Sequence, residues 1–385
     1  MRTMNTLAAI SANTFAVLCG LSLISFILLE GFETLLLPRR IERGLRLTSF
    51  FFRTLWRLWS RTRHLFRPAN RDNFLAVFGP LSLLLLLTLW AGGLIFGFAL
   101  LQWGLHIPIQ APEASPTFST YLYLSATTFV TLGFGDVSPL TDLGRALTDI
   151  EAGVGFGFLA IVIGYLPVLY GAFSRREVPI ALMDARASSP PSAGAMLQRV
   201  ASCPDTSGLK EMLNEYEHWA AELIESHLSY PVLMFYRSQH DRQSWLSTLT
   251  TVLDTCALVL AKVPNGPQWQ ARMTFAMARH AAVDLALVFG TPPRNPDEDR
   301  LPPERLTALT ALLQDSGLQV IATPETDQRL SELRHLYEPF VNSLSNILLL
   351  DLPAWLPNPN LPDNWQTSAW DRSDHFFREA TTPRR

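Results

Sequence analysis

The sequence predicts an all-α membrane protein with three transmembrane helices and one short re-entrant helix per chain, followed by a cytosolic helical bundle. Three observations carry that expectation. Windows at 14–37, 74–103 and 152–173 are apolar and long enough to cross a hydrocarbon core of about 30 Å, which takes about 20 residues. Between Asp72 and Glu113 there is no Asp, Glu, Lys or Arg, which a soluble core helix almost never shows. Beyond residue 176 the pattern changes to helical periodicity with polar faces, so a whole-chain mean hydropathy of +0.15 averages two unlike halves.

The first element, 1–38, is an N-terminal span. Arg2 ahead of an apolar run also fits a cleaved signal peptide. Basic residues massed after the run, with Glu30 and Glu33 near its inner end, suit a signal anchor better. The loop 39–72 follows. From Arg39 to Arg71 there are ten Arg against one acid, Glu42, a net charge of plus nine. The positive-inside rule places that loop in the cytoplasm, together with Arg175 and Arg176 after the third span. The N-terminus is then outside and the C-terminus inside. Arg53, Arg57 and Arg61 recur every four residues and interleave with Trp56 and Trp59, the pattern of an amphipathic helix at the headgroup boundary. Anionic lipid is the expected partner. Voltage sensing would need countercharged partner helices, and one span alone precedes the loop. A loop pinned between two spans is not expected to bind nucleic acid.

The segment 103–144 must leave and return to the outer face. Its middle, "YLYLSATTFV" (121–130), is too apolar for a solvated loop and reads as a re-entrant helix. Non-helical backbone at membrane depth survives only where it is buried in protein or lines a water-filled path, so the residues after this helix are candidates for a pore wall.

Those residues are "TLGFGD" (131–136), followed by "VSPLTDLGRAL" and a glycine-bearing span. From about 74 to 173 the chain closely resembles the pore module of potassium channels, especially bacterial two-span types. The resemblance implies a selectivity filter in which the carbonyls of Thr131, Leu132, Gly133 and Phe134 replace the hydration shell of K+. Gly133 and Gly135 supply backbone angles that only glycine adopts without strain. Asp136 would sit just outside and form an acidic ring that concentrates cations. One such loop per chain cannot enclose an ion, so the expected assembly is a homotetramer. The resemblance implies a pore domain at 73–175, in a bacterial inner membrane, with K+ as permeant ion and no organic cofactor.

Departures from the family pattern concern support of the filter. Val130 stands where a second threonine is usual, Phe134 replaces the commoner tyrosine, and Thr127 occupies a position that often holds a carboxylate. Glu151, early in the third span, is expected to compensate by facing protein and bonding a hydroxyl such as Thr127 or Thr128. "EAGVGFGFLAIVIGYLP" (151–167) supplies Gly155, Gly157, Gly164 and Pro167, all of which weaken or bend a helix. Gly155 falls where the resemblance places an inner-helix hinge. Glycines in membrane helices also serve close packing.

After the pore, 176–200 reads as a linker and 201–385 as a mildly acidic, helical regulatory domain. Helices are expected near 208–227, 239–262, 267–289, 303–315 and 326–348. His218, Glu222 and Glu225, with His227 and His240 nearby, have the residue types for a divalent ion site or a pH sensor. Core or surface histidines are the plainer alternative, and the domain's ligand is unassigned. Cys19, Cys203 and Cys256 are scattered and expected to be inert thiols. No nucleophile elbow, Walker loop or zincin motif occurs, so an enzyme is not expected. The expected function is a potassium-selective channel. The alternatives are a weakly selective cation channel and a non-conducting membrane anchor for signalling.

Overall fold

A computed structural model describes residues 2–36, 47–67, 70–201, 207–239 and 242–358, which fall into two units, Met1–Tyr170 and Gly171–Arg385. Arg39, Arg40, Arg43, Arg46, Cys203, His240 and the tail beyond Asn358 lie outside the described residues. Helix dominates both units.

In the first unit, α1 (Arg2–Gly31) runs into a π-helical turn, Phe32–Leu36, and pairs with α4 (Phe78–Gly104). Glycines set how closely they approach. A Cβ built on Gly20 would lie 2.7 Å from the Gly97 carbonyl oxygen, and one on Gly104 would lie 3.0 Å from the Asn13 carbonyl. Ile27 covers Gly93 at the other end of the pair, so the two helices run antiparallel. Small residues permit such backbone approach between apolar helices, where lipid offers no hydrophobic drive to associate. The first span therefore rests on the second span of its own chain.

Helix α2 (Leu47–Thr62) carries the expected amphipathic pattern, but its aromatic face is occupied by protein. Trp56 is buried, edge-on to Phe78 at 4.8 Å. Trp59 stacks on Phe74 of α3 (Arg71–Ala76) at 4.5 Å and donates its indole N–H to the Phe74 carbonyl. Trp56 is thus a docking residue, and half-buried Trp59 is docked on one face, because α3 and the foot of α4 offer ready aromatic partners. Arg53, Arg57 and Arg61 remain exposed. The start of α2 is fixed by buried Glu30, which accepts from the Thr48 hydroxyl at 2.9 Å and from its N–H at 3.3 Å, a carboxylate at a helix N-terminus.

Helix α6 (Asp142–Ala187) begins in the first unit and ends in the second. It is uninterrupted at Gly155, Gly157, Gly164 and Pro167, and it extends through much of the linker expected at 176–200. A short turn and α7 (Ala193–Ala201) take up the remainder. The continuation has a physical cause. Trp219 donates to the Arg176 carbonyl at 3.2 Å, and the Arg176 guanidinium donates to the carbonyls of Leu233 and Tyr236 at 2.8 and 2.9 Å, so the turns after the span are held by protein.

The second unit adds α8 (Ser207–Ser229), α9 (Trp245–Lys262), α10 (Gln268–Val288), α11 (Pro303–Asp315), α12 (Pro324–His335) and α13 (Glu338–Leu348). Of the five expected helices, 303–315 is found with the same ends, three others are found with shifted ends, and 326–348 is broken in two. Pro339 lacks the N–H that an unbroken helix would offer residue 335. Helix α9 is apolar enough to cross a membrane by length and composition, yet 94% of it is buried among its neighbours. Its Asp254 explains why it is a core helix. Arg300 donates to Asp254 Oδ2 at 2.5 Å and to Glu338 at 3.2 Å, Tyr337 donates to Asp254 Oδ1 at 2.5 Å, and Arg334 completes the network on Glu338 at 3.1 Å.

No group of three or more His, Cys, Asp or Glu suited to a metal ion occurs among the described residues, and His218 donates to the Asn214 carbonyl. His227 is fully buried, bonded to the Leu223 carbonyl at 2.8 Å and facing Arg176. Burial, and then the Arg176 charge, lower its pKa to about 3, so it stays neutral at ordinary pH and is no sensor there.

Two predictions follow from this packing. An unfolded chain restores the ordinary value of 6.5 to His227, so below that pH the unfolded state binds the extra proton. Stability is therefore full above about pH 6.5 and falls as pH drops below it, by up to about 1.4 kcal/mol per pH unit. Thermal melts of the wild type across that range check the slope, which His227→Gln flattens. Asp254→Asn, which strips the charge facing buried Arg300, is expected to destabilise the second unit by about 3 kcal/mol in denaturant titration.

Candidate functional site

The re-entrant helix is α5 (Phe118–Phe129). Thr117 and Thr120 form a reciprocal capping box at its start, which satisfies backbone donors that have no partner within a helix. A small apolar core of Ile107, Ile109, Tyr121, Leu124 and Val137 seats it, and the Tyr121 hydroxyl donates to the Ile107 carbonyl at 2.7 Å. Two short antiparallel strands, β1 (Ile109–Gln110) and β2 (Ser138–Pro139), tie the segment before the helix to the segment after the TLGFGD stretch.

At the end of α5 the backbone changes hand repeatedly. Thr131, Gly133 and Gly135 have φ of +58°, +55° and +81°, while Leu132 and Phe134 between them stay outside the left-handed region. A Cβ at Gly133 or Gly135 would meet nothing within 4 Å, so glycine is required there for handedness and not for space. Thr131 is the unexpected member. A β-branched residue at positive φ is strained by about 1 kcal/mol or more, and such strain persists only where surrounding structure over-determines it.

That determination comes from the turned-back amides. The N–H of Thr131 donates to the Thr128 carbonyl at 2.9 Å, and those of Leu132 and Gly133 donate to the Thr127 carbonyl at 2.8 and 3.4 Å. Thr127 and Thr128 therefore support the stretch through their carbonyls. The Thr127 hydroxyl turns back to Tyr123 and Leu124 in its own helix. Val130 caps α5, with its N–H on the Ala126 carbonyl. The carbonyl oxygens of Thr131, Leu132, Gly133 and Phe134 accept no hydrogen bond among the described residues. Three donors, those of 131–133, face the protein while four successive acceptors are left over, and all four residues are exposed in the single chain. Asp136 is held by the Tyr123 hydroxyl, which donates to Oδ2 at 3.0 Å.

Glu151 is fully buried, as expected for a carboxyl in the third span, but its partners are Ser125 of α5 and Gln102 of α4 and not Thr127 or Thr128. Sequence reasoning missed Gln102, Ser125 and Tyr123. The signal for Gln102 was present, since it is an isolated amide within an otherwise apolar span.

Gly155 behaves differently from the other glycines of α6. A Cβ there would lie 2.0 Å from the Phe129 carbonyl oxygen and 2.8 Å from its carbon. At Gly153, Gly157 and Gly164 nothing lies within 4 Å. Gly155 is thus a close-packing position beneath the end of α5, and α6 remains helical through it.

Residues 83–169 match a family model described as an ion channel, and no curated protein and no solved structure matches the chain. The matched segment runs from α4 through α5 and the TLGFGD stretch into α6, so an ion-channel domain lies in the membrane-type helices of this chain.

The Gly155 contact separates packing from hinging. Gly155→Ala forces the Phe129 carbonyl to move and is expected to lower ion flux at least about tenfold, whereas Gly157→Ala and Gly164→Ala, which meet nothing within their own chain, are expected to lower it less. Flux from liposomes holding equal amounts of each variant checks this order.

Proposed function

From an ion-channel domain at 83–169, we propose that four copies of this chain assemble a potassium-selective pore in a bacterial inner membrane. The observation that carries the proposal is the run of four carbonyls at 131–134 that accept no hydrogen bond among the described residues, with the amides of 131–133 turned inward. Alternating backbone hand directs successive N–H groups to one side. The C=O groups then face the other, where they can stand in for the water around a dehydrated cation. Unbonded carbonyls at membrane depth cannot face lipid, so further copies must close the path. Support for that closure comes from α6, whose apolar Ile150, Phe156, Leu159 and Ile163 are all exposed in the single chain.

Cation selectivity is aided by Asp136, whose carboxylate the Tyr123 hydroxyl fixes at the end of the stretch. The arginine-rich loop keeps its side of the membrane cytoplasmic, which sets the N-terminus outside and the second unit inside. Exposed Arg53, Arg57 and Arg61 suit anionic headgroups. The second unit tunes opening or assembly.

Reconstitution of the full chain in planar bilayers tests the proposal. Reversal potentials in opposed K+ and Na+ are expected to follow K+. A reversal near zero would replace it with a weakly selective cation pore, and absence of any conductance would leave a membrane anchor. Asp136→Asn is expected to reduce single-channel conductance about twofold at low ionic strength, with the difference shrinking in high salt as the carboxylate is screened.

A further inference from the structure

Behind the TLGFGD stretch, three helices meet at a polar node inside otherwise apolar surroundings. Gln102 of α4, Ser125 of α5 and Glu151 of α6 are each wholly buried. The Gln102 amide donates from Nε2 to Glu151 Oε2 at 3.0 Å. The Ser125 hydroxyl lies 2.7 Å from the Ile95 carbonyl oxygen of α4 and is also hydrogen-bonded to Glu151 Oε1.

Counting protons decides what Glu151 is. A serine hydroxyl has one proton to donate, and the Ile95 carbonyl can only accept. An ionised Glu151 can also only accept, so two acceptors would compete for one proton, and one buried contact would be a repulsion between lone pairs. A carboxylic acid removes the shortage. Oε1–H donates to Ser125 Oγ, the serine proton goes to Ile95, and Gln102 serves Oε2. Turning the Gln102 amide over does not help, since its oxygen would then oppose Oε2 with the serine still one proton short. Among the described residues, the helices around the node supply no countercharge. Helix α4 has no ionised side chain, and α1 has none between Arg2 and Glu30. Helix α5 brings only Tyr121 and Tyr123, which are bonded to Ile107 and Asp136, and Asp149 of α6 is exposed.

The node is also in register with the Gly155 contact. Ser125 meets Glu151, and four residues later on both helices Phe129 meets Gly155. Residues four apart lie on one helix face, so α5 is gripped by α6 at two successive turns, the second directly below Thr131.

We propose that Glu151, as a neutral carboxylic acid, is a positioning residue that latches the re-entrant helix through Ser125 to both membrane helices and so holds the foot of the filter. The functional consequence rests on the channel reading above; the protonation does not. The test compares Glu151→Gln, Glu151→Ala and Ser125→Ala in the full chain. Glutamine keeps both a donor for Ser125 and an acceptor for Gln102, so its K+ over Na+ permeability ratio should stay within about twofold of wild type. Each alanine variant should lower that ratio about tenfold, the effect of losing one buried hydrogen bond, and the double alanine variant should be no worse than either alone. Infrared difference spectra of wild type against Glu151→Gln should show the carbonyl band of a protonated carboxylic acid. Absence of that band, or a glutamine variant as impaired as alanine, overturns the proposal. If the wild type passes no ions, the channel reading fails, and the infrared band alone then upholds or refutes the neutral latch.

Discussion

A backbone that abandons helical geometry inside a bilayer must find its hydrogen bonds within the protein, and the first unit is organised around that requirement. The amides of Thr131, Leu132 and Gly133 fold back onto the carbonyls of Thr127 and Thr128, which are themselves the otherwise unsatisfied acceptors at the end of α5. One set of orphan groups satisfies the other. The strained φ of Thr131 is the local expense of this arrangement, and the β1–β2 pairing, the Tyr121 and Tyr123 hydroxyls and the grip of α6 all act to keep it in place. Without that enclosure the same six residues would be an ordinary glycine-containing turn.

Much of this was legible in the sequence because membrane helices are written in long apolar runs, and a re-entrant helix betrays itself by being too greasy for a loop. The burial of Glu151 was legible for the same reason, since a carboxyl among apolar residues must seek protein. Its partners were not. Ser125 and Gln102 lie 26 and 49 positions away, and only the three-dimensional register of α4, α5 and α6 brings them to it. The arginine and tryptophan pattern of α2 is equally suited to a lipid surface or to an aromatic shelf on the same chain. Phe78 and Phe74 are the aromatic shelf on which Trp56 and Trp59 dock, and no periodicity within α2 could have shown it.

The second unit shows the converse ambiguity. A window rich in alanine, serine and proline after Arg176 resembles a linker, yet the Trp219 side chain of α8 and the carbonyls of Leu233 and Tyr236 in the segment after it fasten the helix at Arg176, where that window begins. Helix α9 has the length and hydropathy of a membrane span but belongs to a core, where Arg300 and Tyr337 converge on its Asp254. Composition measures how apolar a helix is, whereas its surroundings are set by chains that arrive from elsewhere in the sequence.

The contact at Gly155 has a mechanical consequence. Van der Waals surfaces push but do not pull, and here the Phe129 carbonyl already fills the room that a methyl group would need. If α6 leans toward α5 at this level, the end of the re-entrant helix is displaced at once; if it leans away, the touching surfaces simply part. The notch is a one-way stop that relays inward strain to the end of α5 and by itself transmits nothing of the opposite movement.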